Sequence, residues 1–166
     1  CQEHVIWDIE HYRTLTRAVA VDINRGAHRS VGNPSAQFAI GSFQDEIAQM
    51  AGKDSIEYFL SCLGKDRVLA KGLYESWIPE EHQFDTARLR KCVEKVAKLS
   101  RWFDKSSQGF GMGFSAFRSQ FTYCATVVRV KFMNDQLSVT NIWNVTDCGQ
   151  VIELNGAEQQ VIGSLI

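Results

Sequence analysis

The chain has 166 residues, 45% of them hydrophobic and 22% charged, an ordinary globular composition at a length that fits one domain or two small ones. With 18 basic against 19 acidic residues and a net charge of −1, nothing draws it electrostatically to nucleic acid or to an anionic membrane surface. No apolar run approaches the roughly 18–20 residues needed to cross a bilayer, and the CQEHVIWDIEHYR start lacks the basic and apolar regions of a signal peptide.

Leu15 to Ile23, LTRAVAVDI, alternates apolar and polar residues and predicts a strand. The small, polar and basic residues Asn24 to Asn33 form a loop. Pro34 then opens a helix with apolar residues Phe38, Ile40, Phe43, Ile47 and Met50 near helical spacing, stopped by Gly52. Asp54 or Ser55 caps a second helix carrying Ile56, Phe59, Leu60 and Leu63, ending at Gly64. Lys65 to His82 predicts no element. Asp85 caps a third, strongly amphipathic helix with Leu89, Cys92, Val93, Val96, Leu99 and Phe103 on one stripe. Gln108 to Gly113, QGFGMG, is a glycine-rich break and a candidate boundary, near 105–113, between two small lobes. Strands Phe121–Phe132 and Gln136–Val145 flank a Met133-Asn134-Asp135 turn, and a helix begins near Leu154. Together these elements predict an α+β fold with a mixed sheet and packed helices.

Three motifs bear on chemistry. The loop Gly26 to Asn33 sits between a strand and a helix N-terminus, where backbone N–H groups and the helix dipole favour an anion and Arg29 adds a forked donor. A plain connection with a solvated arginine is the commoner meaning of such a loop. The glycines of Gln108–Gly113 follow a helix and precede a strand, the reverse of a dinucleotide fingerprint, and fit close backbone packing at a strand start. Cys148, after Asp147 at a strand end, has no histidine placed to activate it and reads as a buried thiol at a turn. The five cysteines are odd in number and never spaced CxxC, and the four histidines do not pair, which disfavours disulfides and a protein-ligated metal.

Taken in order, several segments resemble the large, molybdopterin-binding subunit of the xanthine dehydrogenase and aldehyde oxidase-like molybdenum hydroxylases. Those segments are Arg29-Ser30-Val31-Gly32-Asn33, Gln37-Phe38-Ala39-Ile40, Ser42-Phe43-Gln44-Asp45-Glu46-Ile47-Ala48 and Ala51-Gly52-Lys53-Asp54. The likeness is greatest to the isoquinoline 1-oxidoreductase β-subunit and membrane-associated aldehyde dehydrogenase branch. It resumes at Gly109 to Phe114 and ends with Asp147-Cys148-Gly149 and the helix around Gln160 to Gly163, covering the chain from about residue 12.

The resemblance implies a partial molybdopterin-binding domain over residues 1–166, part of a subunit that oxidises an aldehyde or N-heterocycle with water as oxygen source. Its cofactors would be molybdopterin with molybdenum, in the cytosine dinucleotide form usual for bacterial relatives, and iron–sulfur clusters on a partner subunit. The cofactor-binding residues it implies are Arg29, Ser30, Val31, Gly32, Asn33 and Gln160. Partners would be the rest of the molybdopterin subunit and a small iron–sulfur subunit, with a homo-oligomer left open, and the compartment periplasm or cytoplasm. The sequence departs from the family at His28, at Glu153-Leu154 where Asn-Pro is common, and at Ile162 where a glutamate is frequent. A Gly-x-Gly-Glu motif carrying the catalytic glutamate would lie beyond residue 166 and the first cofactor-binding half before Cys1, so the chain is expected to be a piece of an enzyme and inactive alone. The alternative left open is a non-catalytic domain of the same fold, used for protein interaction or anion binding.

Overall fold

The computed structural model describes residues 6–11, 13, 15, 17, 19–20, 22–24, 26, 29–30, 32–69, 79, 82–104, 110–119 and 121–165. Local chemistry sets most helix boundaries. α1 (Asn33–Met50) starts with proline in its first turn, where the missing N–H costs nothing. α2 (Ser55–Leu63) is capped by Asp54, whose carboxylate accepts from Ile56 N and Glu57 N. The Asp85 carboxylate does the same for α3 (Thr86–Ser100) through Ala87 N. A 3-10 turn, Trp102–Asp104, follows α3. α4 (Leu154–Gly163) is capped by Glu153, which accepts from Asn155 N and Gly156 N.

The sheet comprises β1 (Phe110–Ser119), β2 (Thr122–Met133) and β3 (Gln136–Asp147) in the order β1-β2-β3, with both pairings antiparallel. The α+β class holds, but among the described residues the sheet is wholly antiparallel rather than mixed. Each strand returns directly beside its predecessor, and such tight returns allow no parallel neighbour. The β2–β3 turn places Asn134 at φ 51° and Asp135 at φ 59°, the left-handed pair that matches the twist of a two-residue hairpin. β1 begins at Phe110, so the glycine-rich stretch contributes to a strand. A Cβ on Gly111 would meet Val130 Cγ2 at 3.4 Å, whereas Gly113 faces open space, so close packing accounts for one of these glycines and not the other. Residues 105–109 of the expected lobe boundary lie outside the described set.

α3 crosses one face of the sheet and buries Leu89, Cys92, Val93 and Val96 against Ala116, Tyr123, Ala125 and Val127. Burying each Val- or Leu-sized side chain there is worth about 1.5–3 kcal/mol. The predicted stripe breaks after Val96, for Leu99 and Phe103 are exposed and Ala97 and Trp102 are buried instead. Arg101 adopts a left-handed φ of 55° and turns the chain inward one residue earlier than a continuing helix would. α2 contributes Ile56, Phe59 and Leu63 to the same core. α1 lies along the β1 edge and buries only Ala48; Phe38, Phe43 and Met50 of its apolar stripe face outward. The expected strand Leu15–Ile23 lies partly outside the described residues. Leu15, Val19 and Ile23 themselves are exposed, in no strand.

Gly64 closes α2 at φ 71°, ψ −151°, a region essentially reserved for glycine. A Cβ there would also strike the Asp8 side chain, which is held in place because Asp8 N donates to Cys62 O at 2.8 Å. Gly64→Ala is therefore expected to lower stability by about 2 kcal/mol, read as a shift of the urea midpoint at unchanged slope. A change below a few tenths would show that Asp8 and the backbone relax at no cost.

Candidate functional site

Polar groups gather at the turn entering α1. Ser30 has φ 69°, Asn33 N donates to Ser30 O at 2.9 Å, and Ser35 Oγ donates to Gly32 O at 3.2 Å. Asn33 Nδ2 reaches Ser119 Oγ at 3.4 Å and ties the turn to the end of β1. Gly32 caps α1 without any side-chain acceptor, so the helix dipole at this end is not offset by a carboxylate. Arg29 is exposed beside it. His28 and Val31 lie outside the described residues.

The structure thus brings Ser30, Gly32 and Asn33 into one compact turn. Gln160 is exposed on α4, a helix with no buried residue. Among the described residues no hydrogen bond joins it to that turn.

Another gathering is a cleft between α1 and β1, lined by Gln37, Gln44, Asp45, Ser55, Phe114 and Arg118. Ser55 Oγ donates to Asp45 Oδ1 and links α2 to α1. Arg118 is 2% exposed, donates from Nη2 to His82 O at 2.6 Å, and lies 5.3 Å from the centre of the Tyr123 ring and 5.5 Å from that of Phe84. The cavity volume is about 30 Å³, space for a water molecule and far below the several hundred Å³ of a cofactor pocket. Arg118 follows Ala116 by two residues in β1, so the period-2 pattern carried forward from Ala116 sets this charge on the covered face.

The Asp147-Cys148-Gly149 motif is architectural. Arg88 grips Asp147 through Nε at 2.7 Å and Nη2 at 2.6 Å, and Gly149 N donates to Asp147 Oδ1 at 3.1 Å. The guanidinium holds the Asp147 carboxyl below the usual carboxylate range, and the Arg88 pKa rises in return. Cys148 is exposed, contrary to the expected buried thiol, because Gly149 at φ 77° turns the chain away from the sheet. Among the described cysteines Cys92 is the buried one, and burial pushes the half-buried Cys124 thiol up to about 11, which makes it a poor nucleophile near neutrality.

Asp147→Asn should cost about 1 kcal/mol at neutral pH, a figure discounted for solvent screening because the paired side chains are 34% and 37% exposed. A depressed folded-state pKa stabilises above the unfolded value of about 3.9 and loses that effect as pH falls through the folded value. The gap between wild type and variant should accordingly close only below about pH 4. Urea unfolding of both proteins at neutral and acidic pH measures it, and a gap that persists toward about pH 2 contradicts the ion-pair account.

These features define an α+β protein with, among the described residues, a three-stranded antiparallel sheet and a polar turn at the entry to α1. No protein-family profile matches the chain, and no solved structure does. The chain is similar to a subunit of nicotinate dehydrogenase from Pseudomonas putida, with 25% identity over 165 residues. The match takes in 96% of this chain and 13% of that protein's length.

Proposed function

We propose that this chain is a region of the molybdopterin-binding subunit of a molybdenum hydroxylase, and that its turn at the start of α1 holds part of the cofactor. The observation that carries this reading is the likeness to a dehydrogenase subunit along 96% of the chain. The polar turn Ser30–Asn33 at a helix N-terminus supports it.

The donor set fits an anionic, pterin-borne group. Among the described residues no three His, Cys, Asp or Glu side chains gather to hold a metal, and a pterin dithiolene supplies its own sulfur ligands. When bound, the cofactor supplies the oxidation of an aldehyde or N-heterocycle with water as oxygen source. The chain's part is to bind and orient. The turn Ser30 to Asn33, whose Asn33 N–H is held by Ser30 O, is assigned to the anion through its remaining backbone N–H groups together with the Arg29 guanidinium, and Gln160 on α4 to a second contact. The cytosine dinucleotide form and iron–sulfur clusters on a partner subunit belong to the same proposal. The outward Phe38, Phe43 and Met50 of α1 and Ile152, Leu154 and Ile162 at α4 supply apolar surface for docking against other parts of such an enzyme.

The test is molybdenum and pterin content of the complete natural gene product, made in a host that supplies the cofactor, beside its Arg29→Ala variant. Metal near one per chain, at least tenfold lower in the variant for a lost charge-assisted contact, is the expected result. A metal-free wild type rejects the reading. It would favour the alternative of a non-catalytic module, which draws support from Glu153 serving as a helix cap.

A further inference from the structure

Among the described residues the longest strand edge without a partner strand is the outer edge of β3. Among the described residues β3 lies at the end of the sheet order and pairs only with β2, so the other side of its backbone offers N–H and C=O groups to a further strand. Edge strands are normally blunted by charges, prolines or bulges. From Gln136 to Thr146 β3 contains neither a charged residue nor a proline. Its irregularity sits at Thr140, where the register passes from Asn141 opposite Arg129 to Val139 opposite Val130. Beyond it Asn141–Asp147 forms a regular ladder with Arg129–Tyr123.

We propose that the Asn141–Asp147 edge pairs antiparallel with the same segment of a second copy of this chain, about a two-fold axis at Asn144. The sequence suits this register. Trp143 then faces Val145 of the other copy on the covered face, an aromatic and β-branched pair of the kind that stabilises ladders. Ile142 faces Thr146 on the open face, and Asn144 faces itself. Asp147, the only charge in the segment, meets Asn141 and is already gripped by Arg88. No like charges are brought together, and a net charge of −1 gives little long-range repulsion between copies. The bulge at Thr140 limits the contact to this segment, and a two-fold closes it at a dimer with a continuous six-stranded sheet. This inference does not depend on the cofactor reading.

The experiment is sedimentation of the 166-residue chain over about a hundredfold range of concentration, with hydrogen exchange of the β3 amides at both extremes. The expected result is a monomer–dimer equilibrium in which protection of Asn141–Asp147 rises with concentration. Asn144→Lys sets two lysines opposite each other and should weaken the dimer by about tenfold or more. Asn144→Ala loses the same side-chain hydrogen bonds to Thr126 and Thr146 without adding charge and should still dimerise. An equimolar mixture of Asn144→Lys and Asn144→Glu should re-form a mixed dimer. A chain that stays monomeric throughout, a dimer indifferent to Asn144→Lys, a mixture that fails to associate, or growth past the dimer each overturns the proposal.

Discussion

Replacing Trp102 by alanine is expected to destabilise the fold by about 3–5 kcal/mol, the range for emptying a large aromatic site. The residue is 2% exposed and lies at the end of an aromatic chain. Trp7 stands edge-on to Phe59 at 5.1 Å, Phe59 to Phe114 at 5.3 Å, and Phe114 to Trp102 at 6.3 Å. Its indole Nε1 donates to both Asp54 oxygens, at 2.9 and 2.8 Å. The carboxylate that caps α2 therefore also anchors the turn after α3, so one substitution loosens two helices. Trp102→Phe retains most of the burial but removes a charge-assisted donor, for a cost of about 1–2 kcal/mol. Urea unfolding followed by far-UV circular dichroism gives both values. A Trp102→Ala cost under about 1 kcal/mol would mean that the aromatic chain is not part of the cooperative core.

What sequence reasoning captured was local chemistry. Asp54 and Asp85 announce α2 and α3 because a carboxylate accepting N–H groups two and three residues on needs nothing from the rest of the fold. Asn134-Asp135 announces the β2–β3 hairpin for the same reason, since both tolerate a left-handed backbone. Long-range packing is what escaped. The stripe Phe38, Phe43 and Met50 has helical spacing, yet spacing says only that a face exists, and the structure turns toward β1 the side bearing Gln37, Gly41 and Gln44. Phe110 to Gly113 is poor strand material by composition, but pairing with Val128–Lys131 overrides propensity. The turn of the candidate site was legible because Pro34 marks the helix entry. Its relation to Gln160, more than a hundred residues on, was not, because no local signal specifies how α4 is placed.

Tyr123 carries the other large effect. It is fully buried, its ring is edge-on to Phe84 at 5.4 Å, and the Arg88 guanidinium stacks over it at 4.5 Å. Its hydroxyl accepts from Asp85 N at 2.7 Å, so β2 is tied to the residue that caps α3. Tyr123→Ala should cost about 3–5 kcal/mol. Tyr123→Phe keeps the ring but strands the Asp85 N–H, for about 1–2 kcal/mol. Burial raises the phenol pKa above its ordinary value, against the opposing pull of the Asp85 N–H and the two arginines. Once pH passes the unfolded phenol's pKa of about 10, the unfolded chain releases this proton first and stability falls. Tyr123→Phe lacks that phenol, so its deficit relative to wild type should shrink as pH rises past about 10. A deficit that stays constant there would mean the phenol titrates alike in both states, and the Tyr123 hydroxyl would then not be closed off from water.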